Sequence, residues 1–438
     1  MSLTAVRGAR IIRGDGVVVD GPAVVLVEGG RIRDVGSEQD VPVPPGADVI
    51  DAAGCTLMPG LMDIHLHLTQ WNVLTFKNYR AAAFEVTPQL QMLYALLHAQ
   101  ICLEMGFTTL RDMGGNSYAG PLVAEMVALR EAIEIGIHVG PRLVVAGFTV
   151  ITGAHLDLIF PRNSLRQPLA TADGPWGLRA LARHHLRTGA DVLKTCNSGG
   201  GGTDKEEPDV RNMTQEELSA IADEAHAFGK RCACHAFTPE AQKMGVIANV
   251  DTFEHCVFTD DEAIKMMIDT GKTLVPTLAH RSDKAIEQRR SVGTSQFVLD
   301  KMKRIQPYTK ETFQRLHAAG MKMALGTDTQ IDPAMGDNAY EMQIYVDYGM
   351  SPEEAIATAT INAAEALGLS EDLGTLNKGK FADLIAVDGN PLDDITLLQQ
   401  RERIHLVMKE GSVCVDRRPG FPGKQVIHDE NYAWQIAY

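Results

Sequence analysis

No stretch of the 438-residue sequence supplies the roughly 20 consecutive apolar residues that a membrane-spanning helix needs. The first segment, "MSLTAVRGARIIRGDGVVVD", lacks the long apolar centre of a secretory signal and carries charge early. Cysteine is sparse: seven scattered residues, an odd number that builds no disulfide framework and suits a reducing compartment. A basic excess is missing too, because 41 lysines and arginines face 56 aspartates and glutamates, for a formal net charge of −15. Such a surface repels polyanions, so nucleic acid is not an expected partner. These absences exclude a membrane partner and leave the expectation of a cytoplasmic, enzyme-sized protein. What is present is ordinary for a globular chain, 45% hydrophobic and 22% charged residues. The length calls for one large domain and a smaller one.

Both ends of the chain share a strand-and-glycine texture. "AVVLVEGGRIRDVG" sets two β-branched runs around Gly29-Gly30, a hairpin signal, and "GKFADLIAVDGN" and "RIHLVMKEGSVCVD" resume the style near the carboxyl end. Residues 1–58 and 373–438 are therefore expected to form one small composite β-sandwich domain around a large insert, 59–372. Within the insert, eight short apolar runs alternate with helical patterns. They are "LMDIHLH" (61–67), "FTTLRDM" (107–113), "PRLVVAG" (141–147), "DVLKTC" (191–196), "RCACHAF" (231–237), "DTFEHC" (251–256), "TLVPTL" (273–278) and "KMALGTD" (322–328). Between them, Thr214 with Glu217 and Ser351 with Pro352 and Glu354 spell helix starts. The fold class is α/β, a (β/α)8 TIM barrel. A doubly wound sheet is disfavoured because no Gly-x-Gly-x-x-Gly follows the first strand.

Catalytic groups of such a barrel gather at the carboxyl ends of its strands. There the candidate strands carry His65 and His67, Lys194, His235, His255 and Asp328. Alternation puts His65 and His67 on one face and turns Cys232 and Cys234 away from His235, which argues against a Cys-x-Cys-His zinc clamp. One histidine alone is more often structural than a ligand. Six suitable residues at matching strand ends form a bed for Zn²⁺ or a similar divalent ion. Lys194 is the odd member. As a free amine it can take up CO₂ to give a carbamate whose two oxygens bridge two metals, which then share a hydroxide and polarise a carbonyl. Asp328 is expected to shuttle the proton from the attacking water to the leaving nitrogen.

"GGRIRDVG", "LMPGLMDIHLHL", "GFTTLRDMGG", "DVLKTCNSGG", "CHAFTPE", "FEHC", "LGTD" and "GTLNKGKFADLIAVDGNPLDDI" together resemble the amidohydrolase superfamily, in its imidazolonepropionase-like and prolidase-like branch. The resemblance implies a binuclear centre of two divalent ions, usually zinc. It assigns His65, His67 and Asp328 to one metal, His235 and His255 to the other, and a CO₂-modified Lys194 between them. It also implies that His155, in "VITGAHLDL" after the third strand, reaches the substrate carbonyl. Where dipeptide-cleaving relatives read His-Ala-Tyr-Thr-Pro, this chain has Phe237, which cannot donate a hydroxyl hydrogen bond.

The expected activity is metal-dependent hydrolysis of an amide-type C–N bond in a small molecule: N-acyl or peptide-like, carbamate or urea. The missing hydroxyl at Phe237 favours the more apolar of these. A Xaa-Pro-type dipeptidase or carboxypeptidase on small peptides is the first alternative, and a non-catalytic metal-binding scaffold barrel is the alternative from another class. Trp71, just past His67, is expected to shape the pocket wall. "CNSGGGGTDKEEPDV" (196–210) reads as a flexible active-site loop. A homo-oligomer is an expectation of the resemblance alone.

Overall fold

Short β-branched runs bounded by glycine, then longer amphipathic segments with capping residues, give this chain two kinds of sheet. The computed structural model describes residues 3–70, 85–117, 120–158, 171–201, 205–291, 293–329 and 335–427. Four strands open the chain: β1 (Leu3–Ile12), β2 (Val18–Glu28), β3 (Arg31–Ser37) and β4 (Asp48–Pro59). Next come β5 (Leu61–Leu66), β6 (Phe107–Asp112) and a small hairpin of β7 (Asn116–Ser117) with β8 (Gly120–Pro121). Then follow β9 (Arg142–Thr149), β10 (Val192–Cys196), β11 (Arg231–His235), β12 (Thr252–Glu254) and β13 (Thr273–Val275). The last three are β14 (Leu384–Asp388), β15 (Ile404–Lys409) and β16 (Ser412–Asp416).

The strands of the two ends pair in the order β16-β15-β14-β4-β1-β2-β3. Gly29 and Gly30, at φ 59° and 80°, make the tight turn that pairs Glu28 with Arg31. β4 is long enough to serve both halves, parallel to β1 and antiparallel to β14. Val6, Val25, Leu57, Leu384 and Met408, drawn from both halves, share one core. The sandwich expected from the termini is thus a single hydrogen-bonded sheet, continuous through β4, with a common interior.

The second sheet runs β5-β6-β9-β10-β11-β12-β13, all parallel. Helices follow its strands, beginning with Pro88–Glu104 after β5 and Val123–Glu134 after β6. The eighth expected strand is present as hydrogen bonds without regular strand geometry. On one side Leu274 N reaches Lys322 O and Ala324 N reaches Leu274 O, both at 2.9 Å. On the other, Ile64 N bonds Leu325 O at 2.9 Å and His67 N bonds Thr329 O at 3.0 Å, closing the barrel. Regularity fails because Thr327 N and Asp328 N both turn to His65 O, and Asp328 adopts φ 55°. Both predicted capping boxes, Thr214 with Glu217 and Ser351 with Glu354, are formed. Among the described residues no helix is long and apolar enough to cross a membrane.

Candidate active site

The two histidines of β5 are oriented from behind. His65 Nδ1 lies 2.5 Å from Glu254 Oε2, and the other carboxylate oxygen accepts from Arg111 Nη2 at 3.0 Å and Thr252 Oγ1 at 2.6 Å. Burial alone would lift the Glu254 pKa, but Arg111, His65 and Lys194 hold it at about 2. Burial, helped by the Lys194 charge, brings His65 down to about 4, so its ring is neutral near pH 7. Its Nδ1–H therefore donates to Glu254 and the Nε2 lone pair faces Asp328 Oδ1, 3.6 Å away. His67 repeats the arrangement: Nδ1 donates to the Gly114 carbonyl at 2.6 Å, and Nε2 lies 3.3 Å from the same Asp328 oxygen. Burial opposes a charge on His67, but the hydrogen bond and charge of Asp328 outweigh it and raise its pKa. A proton and a metal ion compete for that lone pair.

His255 and Asp328 leave their strands through left-handed backbone, at φ 74° and 55°, and Thr277 does the same at 54°. Such conformations are costly for residues with a Cβ and concentrate at working sites. The Thr277 hydroxyl gives its proton to Pro276 O, so it accepts from His255 Nδ1 at 2.7 Å and frees the His255 Nε2 lone pair. His235 donates Nε2–H to Gly199 O at 3.0 Å, which leaves its Nδ1 lone pair. Burial, reinforced by neighbouring positive groups, pushes both rings well below the ordinary histidine range. Asp328 goes the other way: burial would raise it, but His280, His67, His65 and His255 hold it well below the usual carboxylate range.

Four imidazoles, three of them held neutral by burial and each with one N–H committed to a fixed acceptor, and one ionised carboxylate make a donor set suited to a divalent transition ion. His65, His255 and Asp328 each offer a ligand atom within 4.8 Å of the others. The rings form a row: His67 to His65 5.6 Å, His65 to His255 4.9 Å, His255 to His235 4.7 Å and His235 to His155 4.3 Å between centroids. Lys194 is buried on β10 beside this row. Val192, two residues before it, packs with Ala233, Ala146 and Met113 in the barrel interior, which sets the same face for Lys194. Cys232 and Cys234 join the helix-side core instead.

His155 donates from Nδ1 to Glu206 Oε2 at 2.8 Å, and Gly200 N bonds the same oxygen at 3.0 Å. A Cβ on Gly200 would stand 2.2 Å from the His155 ring. The glycine there serves close packing on the histidine. Phe237 is 1% exposed, stacked on His235 at 4.3 Å and edge-on to His255 at 5.3 Å. Trp71 lies outside the described residues. His65, His67, Lys194, His235, His255, Asp328, His155 and Phe237 therefore share one neighbourhood.

Reading the sequence missed Glu254, Glu206, His280 and Arg281. His280 follows β13 on the turn Ala279–Arg281, with Nε2 3.8 Å from Asp328 Oδ2. Its position just past "TLVPTL" is a signal the barrel rule contains. Glu254 was masked by alternation, which allows one of two adjacent residues to face inward. The left-handed turn at His255 lets both do so.

Comparison with known proteins agrees with this geometry. The amidohydrolase family profile matches residues 56–414. The chain is 28% identical to ochratoxinase of Aspergillus niger, over 94% of this chain and 86% of that one. Imidazolonepropionase of Symbiobacterium thermophilum is 26% identical, over 94% and 93%. Among solved structures, a Xaa-Pro dipeptidase with bound methionine in the active site superposes with a TM-score of 0.84 and 31% identity, over 94% of this chain and 99% of that one. With matches this long in both sequence and fold, and the site at the barrel's carboxyl end, the chain belongs to the amidohydrolase family.

Proposed function

We propose that the row of imidazoles holds two divalent ions, zinc by the chemistry of the donors, and that the protein hydrolyses an amide-type C–N bond of a small molecule there. Family membership supports the metal dependence and the hydrolysis of C–N bonds. His65, His67 and Asp328 would hold one ion, His235 and His255 the other, with Lys194 between them as a CO₂-derived carbamate. When bound, the ions supply Lewis acidity and ionise a water. The chain's own residues do the rest. Asp328, kept ionised by four imidazoles, accepts the proton of the attacking water and delivers it to the leaving nitrogen. His155, braced by Glu206 and stacked on His235, stands where a carbonyl oxygen would need a donor. Phe237 walls the pocket and keeps water from the His235 and His255 rings.

One observation carries this reading: a buried carboxylate set in left-handed backbone with His65, His67, His255 and His280 nitrogens 3.3 to 3.9 Å from its oxygens. The test is Lys194→Ala, assayed for bound metal and for turnover on a panel of N-acyl amino acids, dipeptides, carbamates and ureas. Loss of about one metal equivalent and a fall in kcat/KM of about 100-fold or more are expected. Full metal content with full turnover would sink the assignment.

A further inference from the structure

Arg281 is a buried cation that the chemistry above leaves unused. It closes the turn Ala279–Arg281 after β13 and is 5% exposed. Among the described residues its hydrogen bonds run from Nη1 alone, to the Thr277 carbonyl and hydroxyl, each at 2.9 Å. Both acceptors are neutral, and among the described residues no carboxylate oxygen lies within 4.0 Å of the guanidinium. The two carboxylates whose charge acts on it are engaged elsewhere: Asp328 stands among four histidines, and Glu341 accepts from Leu278 N at 2.7 Å and Ala279 N at 2.6 Å to fix the turn.

The guanidinium points toward the reaction site. Its carbon stands 5.0 Å from the centre of the Phe237 ring, and that ring touches His235 and His255. Its charge contributes to the depressed pKa values of both histidines. Burial lowers its own pKa to about 10, so it stays charged at neutral pH. A buried guanidinium whose nearest carboxylates act only from beyond ion-pair contact is costly, and an anion brought into contact by something else offsets that cost. Stacking on Phe237 holds the guanidinium plane while leaving its other N–H groups free to fork onto two oxygens.

We propose that Arg281, backed by Phe237, is an anion subsite of the active site and receives a carboxylate carried by the substrate beside the bond to be cleaved. This rests on the hydrolase reading above and narrows its substrate class to N-acyl amino acids or short peptides with a free carboxylate. It reverses the expectation of a neutral substrate drawn from Phe237. The hydroxyl absent from the aromatic position is replaced by a stronger, charged donor from the turn after β13, two strands on.

The experiment uses the metal-loaded enzyme and matched pairs of substrates, an N-acyl amino acid and its C-terminal carboxamide. Wild-type protein is expected to favour the carboxylate by about 10- to 100-fold in kcat/KM, the range of a charge-assisted hydrogen bond. Arg281→Gln should erase that preference by slowing the carboxylate substrate and leaving the carboxamide within about threefold. Equal losses on both, or no preference in wild type, overturn the proposal. Arg281→Lys keeps the charge without the fork, and should lower the preference by about 10-fold. If Arg281→Gln does not fold, an undiminished preference in the lysine variant overturns the proposal. Should no substrate of the panel turn over, the hydrolase reading fails on its own, and the subsite is judged by melting temperature. N-acetylglycine, but not N-acetylglycinamide, should then stabilise wild type and leave Arg281→Gln unmoved; no shift in wild type rejects the subsite.

Discussion

At the scale of single residues, the site depends on side chains whose positions are fixed by neighbours that the chemistry never touches. Gly200 is the sharpest case, because any Cβ there would meet the His155 ring at 2.2 Å. Gly200→Ala should displace His155 and lower kcat by about 10- to 100-fold, with metal content and melting temperature close to wild type. Steady-state kinetics alongside metal analysis check it; unchanged kcat would remove His155 from the reaction. The candidate metal donors were legible in the sequence because each closes an apolar run, and strand ends are where this architecture collects polar side chains. Arg281 and His280 were not. They sit on a turn after the strand proper, and only the hydrogen bonds of Glu341 show which way that turn points.

Among the elements, helices were the easiest to foresee. Capping residues act locally, so Thr214 with Glu217 marks a start whatever surrounds it. The eighth barrel strand was harder, since its irregularity comes from partners on β5 and from the left-handed turn at Asp328. Helix Gly174–Thr188 is tied to β9 by a buried histidine, His185, whose Nε2–H donates to Phe148 O at 2.7 Å. Burial brings the His185 pKa down to about 4. An unfolded chain binds that proton near pH 6.5, the folded protein only near 4. The neutral ring thus contributes its full stability above about pH 6.5, and the contribution is lost as pH falls toward 4. The window is worth about 3 kcal/mol. Urea unfolding of His185→Gln should show a smaller stability loss between pH 7 and pH 4.5 than wild type, by about 2 kcal/mol.

For the whole molecule, the barrel and the terminal sheet are held together by buried charge. Glu104, the last residue of helix Pro88–Glu104, is fully buried. It accepts from Arg401 Nη2 at 3.2 Å, from Arg417 Nη2, and from the backbone of Val426 and Ile427. Glu104→Ala would remove the buried carboxylate that two arginines and two amides share, and should cost about 3 to 5 kcal/mol in chemical denaturation, with residues near 426 cleaved faster by protease. A loss below about 1 kcal/mol would show that the junction is held elsewhere. The shared texture of the two ends announced that they belong together. It could not give the strand order, because β1 pairs in parallel with β4 and β4 antiparallel with β14, partners set by distant backbone and not by any local pattern.

That sheet has a consequence for synthesis on the ribosome. β4 passes straight into β5 through Gly60, whose N–H bonds Asp383 O at 2.9 Å, while the strand that covers the other edge of β4 begins only at Leu384. A nascent chain must therefore carry β4 with a bare edge through the translation of the entire barrel. A polypeptide released before Leu384 keeps that edge open, free to pair with the same strand of a second copy.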